Sequence, residues 1–219
     1  MIHEIASDLP KLGTRAYVQG GTIFNGIVAA CDTVFGPDWL AGARISSFKL
    51  EREAVANGRI VVADEPIVGG APNATFAATA GDLQIRGCFF DEGVAARRED
   101  YDEESFNRPL DVGTDMRGTF TLPGGRPRAD FIKGVVGANK LLHQKTTLFA
   151  TTLTQIQFLY LKGLAGACVL AAQGDLHLAI VNLSIKETAG EVWTINRIDV
   201  TRDDVHTEFR LCYRALKAP

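Results

Sequence analysis

The stretch Tyr17-Val18-Gln19-Gly20-Gly21-Thr22 has the makings of a binding turn. Consecutive glycines let a ligand approach the backbone closely. Where such a turn opens a helix, the N–H groups from Gly21 to Ile23 face that ligand, and Tyr17 or Gln19 can donate a hydrogen bond to it. A purely structural account competes: Gly20-Gly21 is a turn, Thr22 an N-cap and Tyr17 a core aromatic. Asn25 follows one turn on, a polar side chain in an apolar segment, which needs a partner. That partner is either a bound oxygen or water, or a neighbouring strand. Asp130 precedes a second apolar segment. It can serve as a general base if burial raises its pKa, or simply complement a helix dipole as a first-turn acid. Lys133 stands where Asn25 stands in the first segment. His143, with Gln144, falls near the end of the second segment, where the dipole favours a histidine without any function.

Other chemistries lack their residues. His3, His177 and His206 are scattered, and no pair of histidines has metal-ligand spacing, so no metal site is expected. Cys31, Cys88, Cys168 and Cys212 are isolated, with no CxxC pair, and are expected as reduced thiols of a cytoplasmic protein. No phosphate-binding loop, dinucleotide fingerprint or nucleophile elbow is present.

The elements that must hold these residues follow from hydrophobic periodicity. Ile23, Phe24, Ile27, Val28, Ala29, Ala30, Val34 and Phe35 form a helix ended by Gly36-Pro37. Asp32 is its one charge, so this helix must be wrapped by other structure. Strands are expected at 45–50, at 59–63 after an Asn57-Gly58 hairpin turn, and at 74–80 and 83–90 around Gly81-Asp82. Segment 91–128 changes character. Its charge cluster and Pro109, Pro123 and Pro127 suggest a solvated connector, with a short strand at 119–122. The pattern then returns. Residues 23–30 (IFNGIVAA) align with 131–138 (FIKGVVGA) at an offset of 108, which also superposes Leu40 on Leu148, Gly58 on Gly166, Val61 on Val169 and Ala63 on Ala171. Strands at 192–200 and 205–213 flank Asp203-Asp204, and an inserted longer hairpin is expected around 173–186. The chain reads as a duplication: a first repeat over 1–96, a connector over 97–127 and a second repeat over 128–219.

Composition agrees with a globular chain. The 219 residues are 46% hydrophobic and 22% charged, so a sizeable core is expected without staples. A net charge of -3, from 23 basic and 26 acidic residues, gives no electrostatic reason to expect a nucleic-acid or membrane partner. No secretory leader and no apolar span of bilayer length is visible. The Asn73-Ala74-Thr75 sequon is therefore expected to be idle.

One long buried helix followed by a curved antiparallel sheet, twice in one chain, resembles the double hotdog fold, an α+β architecture in which each sheet wraps its own helix. The main alternative is an unrelated α+β domain with two helices on one sheet. The resemblance implies an enzyme of acyl thioesters, carried on coenzyme A or on the phosphopantetheine of an acyl carrier protein, with no further cofactor. The implied reactions are thioester hydrolysis, or acyl transfer with decarboxylation, in fatty-acid, polyketide or other secondary-metabolite biosynthesis. Asp130, Tyr17 and Asn25 would then be catalytic. Gln19, Gly20, Gly21, Thr22, Lys133 and His143 would bind substrate, with the carbonyl at the first helix N-terminus. In such proteins an acid at one helix start often works against the other helix. Dehydratase relatives place a histidine before the first helix, and none stands here. A dehydratase-like or catalytically inactive protein that binds an acyl chain or a protein partner is the alternative. Exposed sheet edges suggest a homodimer.

Overall fold

The computed structural model describes residues 1–102, 106, 108–149, 152–170, 174–202 and 205–218. The chain divides into two compact units: Met1–Tyr101 with Lys162–Ala167, and Asp102–Leu161 with Cys168–Pro219.

In the first unit the apolar run forms α1 (Gly20–Phe35), stopped by Gly36 at φ 83°. That left-handed conformation costs glycine nothing, and Pro37 cannot continue the helix. Ile23, Phe24, Ile27 and Cys31 have no exposed surface, each large side chain contributing about 1.5–3 kcal/mol by burial. The helix packs on β4 (Asn57–Ala63), β5 (Ala74–Ala80) and β6 (Leu83–Val94). The sheet runs β1 (Ile2–Ala6), β4, β6, β5, β3 (Ala43–Leu50). Phe24 meets Phe48 of β3 edge-on, with ring centroids 5.6 Å apart, and Phe76 of β5 at 6.0 Å. A two-residue parallel pairing joins β2 (Lys11–Leu12) to β7 (Arg98–Glu99).

The expected β5–β6 hairpin is present, with Gly81 at φ 59°. The expected Asn57-Gly58 turn is not. Asn57 and Gly58 lie inside β4, at a bulge against β6, and β4 pairs with β1 and β6 rather than with β3. The two residues are there for other reasons. Asn57 Oδ1 accepts the Leu9 backbone N–H at 2.7 Å. A Cβ at position 58 would lie 2.0 Å from the Phe90 carbonyl oxygen, so only glycine fits. The sequon residue Asn73 is 6% exposed, and its amide joins Glu53 O to Asp91 N.

In the second unit β8 (Arg108–Val112) and β9 (Arg117–Leu122) precede α2 (Ala129–Lys145). After it come β10 (Leu153–Lys162), β12 (Leu176–Glu187), β13 (Glu191–Arg202) and β14 (Val205–Lys217), while β11 (Leu164–Ala165) pairs with β3 in the first unit. The order is β8, β9, β12, β13, β14, β10. Segment 97–127 is thus not a bare connector. Its backbone enters strands β7, β8 and β9, and α2 packs on the latter two. The expected insertion is the extension of β12 and β13, which pair from His177 to Glu187. Asp203-Asp204 and position 173 lie outside the described residues.

The offset of 108 superposes α1 on α2, and the matched pairs after the helices differ in environment. Leu40 is buried while Leu148 is 50% exposed, and Val61 is in β4 while Val169 follows a short 3-10 turn at Gly166–Cys168. The units nevertheless share a plan. In each, a strand that precedes the helix lies beside the second long strand that follows it, and the first long strand after the helix ends the row.

Candidate functional site

The second unit has a cleft at the start of α2. Phe106, Leu122, Phe131, Leu170 and Leu176 make it apolar; Arg126, Arg128 and Asp130 supply the charges. Pro127 places Asp130 by ending the approach to α2: the Asp130 N–H donates to Pro127 O at 2.9 Å, and the Phe131 N–H to Arg128 O at 3.2 Å. These bonds occupy N–H groups that a helix start would otherwise leave free. What remains at this end is side-chain chemistry. The Asp130 carboxylate, 16% exposed, is 3.7 Å from Arg126 Nη1 and 3.6 Å from Lys133 Nζ. Both cations also lie over the Phe106 ring, 5.2 Å and 5.5 Å from its centroid. A half-shielded carboxylate between two cations on an apolar wall can orient a water, and Arg126 can polarise a carbonyl beside it.

Asp130 and Lys133, one turn apart on α2, lie together. Arg126 and Phe106 were missed. Arg126 had a legible signal, since it stands four residues before the acid. Phe106 did not, because its role depends on how segment 102–127 folds back.

In the first unit α1 begins three residues earlier than expected. Val18 pairs with Ala54, which keeps the chain extended, and Gln19 is the N-cap at φ -71°, ψ 150°. Thr22 is thus not the N-cap but the third helical residue. Gly20 and Gly21 form the first turn of the helix rather than a loose turn before it. The Ile23 N–H is taken by Gln19 O at 3.0 Å, so it cannot face a ligand. Those of Gly20, Gly21 and Thr22 precede the first intrahelical bond. With its amide oxygen toward Arg15, Gln19 accepts from Nε at 3.1 Å and Nη1 at 2.8 Å. Tyr17 and Asn25 are half-buried, in the approach to α1 and on its second turn.

His143 is not a ligand group. It is 2% exposed, inside the second unit, with its ring 5.3 Å from that of Tyr213. Its Nδ1 is 2.7 Å from Asn139 O and its Nε2 2.8 Å from Thr194 Oγ1. A carbonyl only accepts, so Nδ1 carries the proton and Nε2 accepts the threonine hydroxyl. Burial holds the imidazole neutral, with its pKa lowered to about 4. Asn196 Nδ2 donates to Asn139 Oδ1 at 2.7 Å, and Asn182 Nδ2 to Asn196 Oδ1 at 2.8 Å. The Asn139/His143 spacing of four was legible as one helix face; its strand partners were not.

No family model matches the chain, and no curated protein matches it. Solved structures do. A hotdog-fold protein of Alicyclobacillus acidocaldarius aligns with TM-score 0.52 and 12% identity over 93% of this chain and 89% of its own. The tesB protein of Mycobacterium avium subspecies paratuberculosis aligns with TM-score 0.53 and 10% identity over 99% and 93%. An acyl-CoA thioesterase II of Mycobacterium marinum reaches 0.48 at 13% identity, over 91% and 89%. The fold is the hotdog fold. No helix among the described residues is long and apolar enough to cross a membrane.

Proposed function

We propose that the chain is a double hotdog acyl-thioester hydrolase that acts in the cytoplasm on a thioester of coenzyme A or of an acyl carrier protein. The observation that carries this reading is the α2 cleft, where apolar walls meet one shielded carboxylate. Leu122, Phe131, Leu170 and Leu176 would take the acyl chain. Asp130 would orient and deprotonate the attacking water, and Arg126 would stabilise the oxyanion as the thiolate leaves. Such catalysis needs no group beyond the chain and the substrate's own carrier. The start of α1 is a separate candidate within the first unit, where the N–H groups of Gly20, Gly21 and Thr22 would bind a carbonyl and Tyr17, Gln19 and Asn25 would orient it. The shared hotdog fold supports the thioester class.

The test is thiol release from a panel of acyl-CoA and acyl-carrier thioesters. Hydrolysis that falls at least 100-fold in Asp130→Asn, a size typical of a general base, supports the reading. Absence of turnover across the panel, or full activity of both Asp130→Asn and Tyr17→Phe, overturns it.

A second reading has its own observation. Asp130 is already engaged by two cations, which suits a binding cleft that performs no reaction. A chain of that kind would gain thermal stability from acyl-pantetheine and leave it intact.

A further inference from the structure

The two helices align at an offset of 108, yet they treat one buried position differently. Where α1 carries Cys31, with no exposed surface, α2 carries Asn139, also with none; one turn on, Phe35 is replaced by His143. A helix of this kind thus packs with a small apolar side chain at that place. The second unit instead builds a polar chain through its core, from His143 and Asn139 on α2 to Thr194 and Asn196 on β13 and Asn182 on β12. Buried polar groups must be fully satisfied to be tolerated, and the groups around this imidazole satisfy its neutral form without offering a counter-charge to the protonated one.

We propose that His143 is an acid-sensitive latch of the second unit: as a neutral imidazole it accepts the Thr194 hydroxyl and secures the end of α2 to β13, and its protonation releases that end of the helix. The groups that face the ring are the Asn139 carbonyl from α2, the Thr194 hydroxyl from β13 and the Tyr213 phenol ring from β14. None is anionic at neutral pH, so no counter-charge waits for an imidazolium. Protonation also makes Nε2 a donor, and the Thr194 hydroxyl then has to turn its own proton away from the ring. The carbonyl bond through Nδ1 survives in either state.

The direction in pH follows from the native pKa lying below the unfolded one. The native ring is held to about 4 and an unfolded one titrates near 6.5. Between those values the unfolded chain binds the proton and the native chain does not, so stability falls as pH falls through that window and levels off below it. The folded-to-unfolded ratio carried by this group drops by about 300-fold, the 2.5 units between 6.5 and about 4. This inference does not depend on the function proposed above.

Hydrogen exchange on the full chain at pH 7, 5.5 and 4, corrected for intrinsic rates, tests it. Amides of the last two turns of α2 are expected to lose protection on acidification by at least tenfold more than those of α1. In the Thr194→Val, His143→Phe double variant that difference should vanish. The imidazole itself, followed by NMR in the unaltered chain, should stay neutral down to about pH 4.5. Titration of folded His143 near 6.5, parallel loss of protection in α1 and α2, or an unchanged difference in the double variant each overturns the proposal. The NMR titration decides the matter if the double variant does not fold.

Discussion

Gly26 and Gly134, 108 positions apart, do the same work in the two units: each lets a leucine methyl lie against the helix backbone. A Cβ at Gly26 would stand 2.6 Å from Leu9 Cδ2, and one at Gly134 would stand 2.6 Å from Leu122 Cδ2. Gly134 is the tighter case, since the Phe106 backbone carbonyl is also only 3.0 Å away. Helix propensity works in the other direction, favouring Ala over Gly by about 1 kcal/mol. We therefore expect Gly26→Ala to be close to neutral, because the Leu9 tip can turn aside. Gly134→Ala should cost about 1–2 kcal/mol, in the range of overpacking. Gly58→Ala gains no helix propensity and meets a carbonyl oxygen that cannot turn aside, so it should cost about 3 kcal/mol or more. Urea denaturation of the three variants checks the ranking.

These glycines also show how much of the fold is legible in residue types alone. The repeat was visible because both helices must admit a close neighbour at the same turn, and glycine records that demand in the sequence. Beyond the helices, superposed pairs such as Val61 and Val169 share a residue type without sharing an environment. Gly58 misled for a related reason: in a bulge and in a hairpin turn the demand on residue type is the same, and only the strand partner tells them apart. The edge strand β1 went unread because its alternation includes His3 and Glu4 and buries no residue fully. For the site, Asp130 and Lys133 were legible from helix position. Arg126 and Phe106 reach them through the fold of segment 102–127, which charge and proline content made look like a linker.

The cysteines differ in accessibility. Cys31 has no exposed surface, and burial pushes its thiol up to about 12. At pH 8 its thiolate fraction is then about one in ten thousand, and the thiolate is the reactive form. Cys88 and Cys212 are raised in the same direction by burial, but Cys212 is half-exposed. In a native chain treated with a disulfide reagent at pH 8, Cys212 should be labelled first. Cys31 should react only when denaturant is added. Peptide mapping of the labelled chain reads the order, and early modification of Cys31 would contradict the burial described here.

The ion pairs of Asp130 separate chemistry from stability. Arg126, Asp130 and Lys133 are 33%, 16% and 24% exposed in their side chains, so their pairing is partly screened and adds about 1 kcal/mol or less. Arg126→Gln is accordingly expected to leave the unfolding midpoint almost unchanged. If Arg126 steadies an oxyanion, the same variant should lower kcat tenfold or more with KM little altered. Lys133→Gln should have the smaller kinetic effect, since Lys133 does not line the cleft. Steady-state kinetics beside a denaturation curve distinguishes the two contributions.

The bond between Asn139 and Asn196 calls for a different experiment, because neither residue can be judged alone. Asn139 also donates from Nδ2 to Val135 O at 3.3 Å, and Asn196 also accepts from Asn182. Removing either amide leaves its partner buried and unsatisfied, at a cost of about 1–3 kcal/mol. Asn139→Cys copies the residue that α1 uses at this place, and by itself should destabilise the second unit through the stranded Asn196 Nδ2. Asn196→Val strands Asn139 Oδ1 in the same way, while Asn182 Nδ2 keeps the Ser184 and Ile195 carbonyls. The double variant removes donor and acceptor together, so its cost should be less than the sum of the two by about 1–2 kcal/mol. Coupling of that size, measured by a double-mutant cycle in urea, identifies the pair as one interaction across the helix–sheet interface. Additive costs would mean that each amide is held by its other neighbours, and that α2 is secured to β13 by His143 and Thr194 alone.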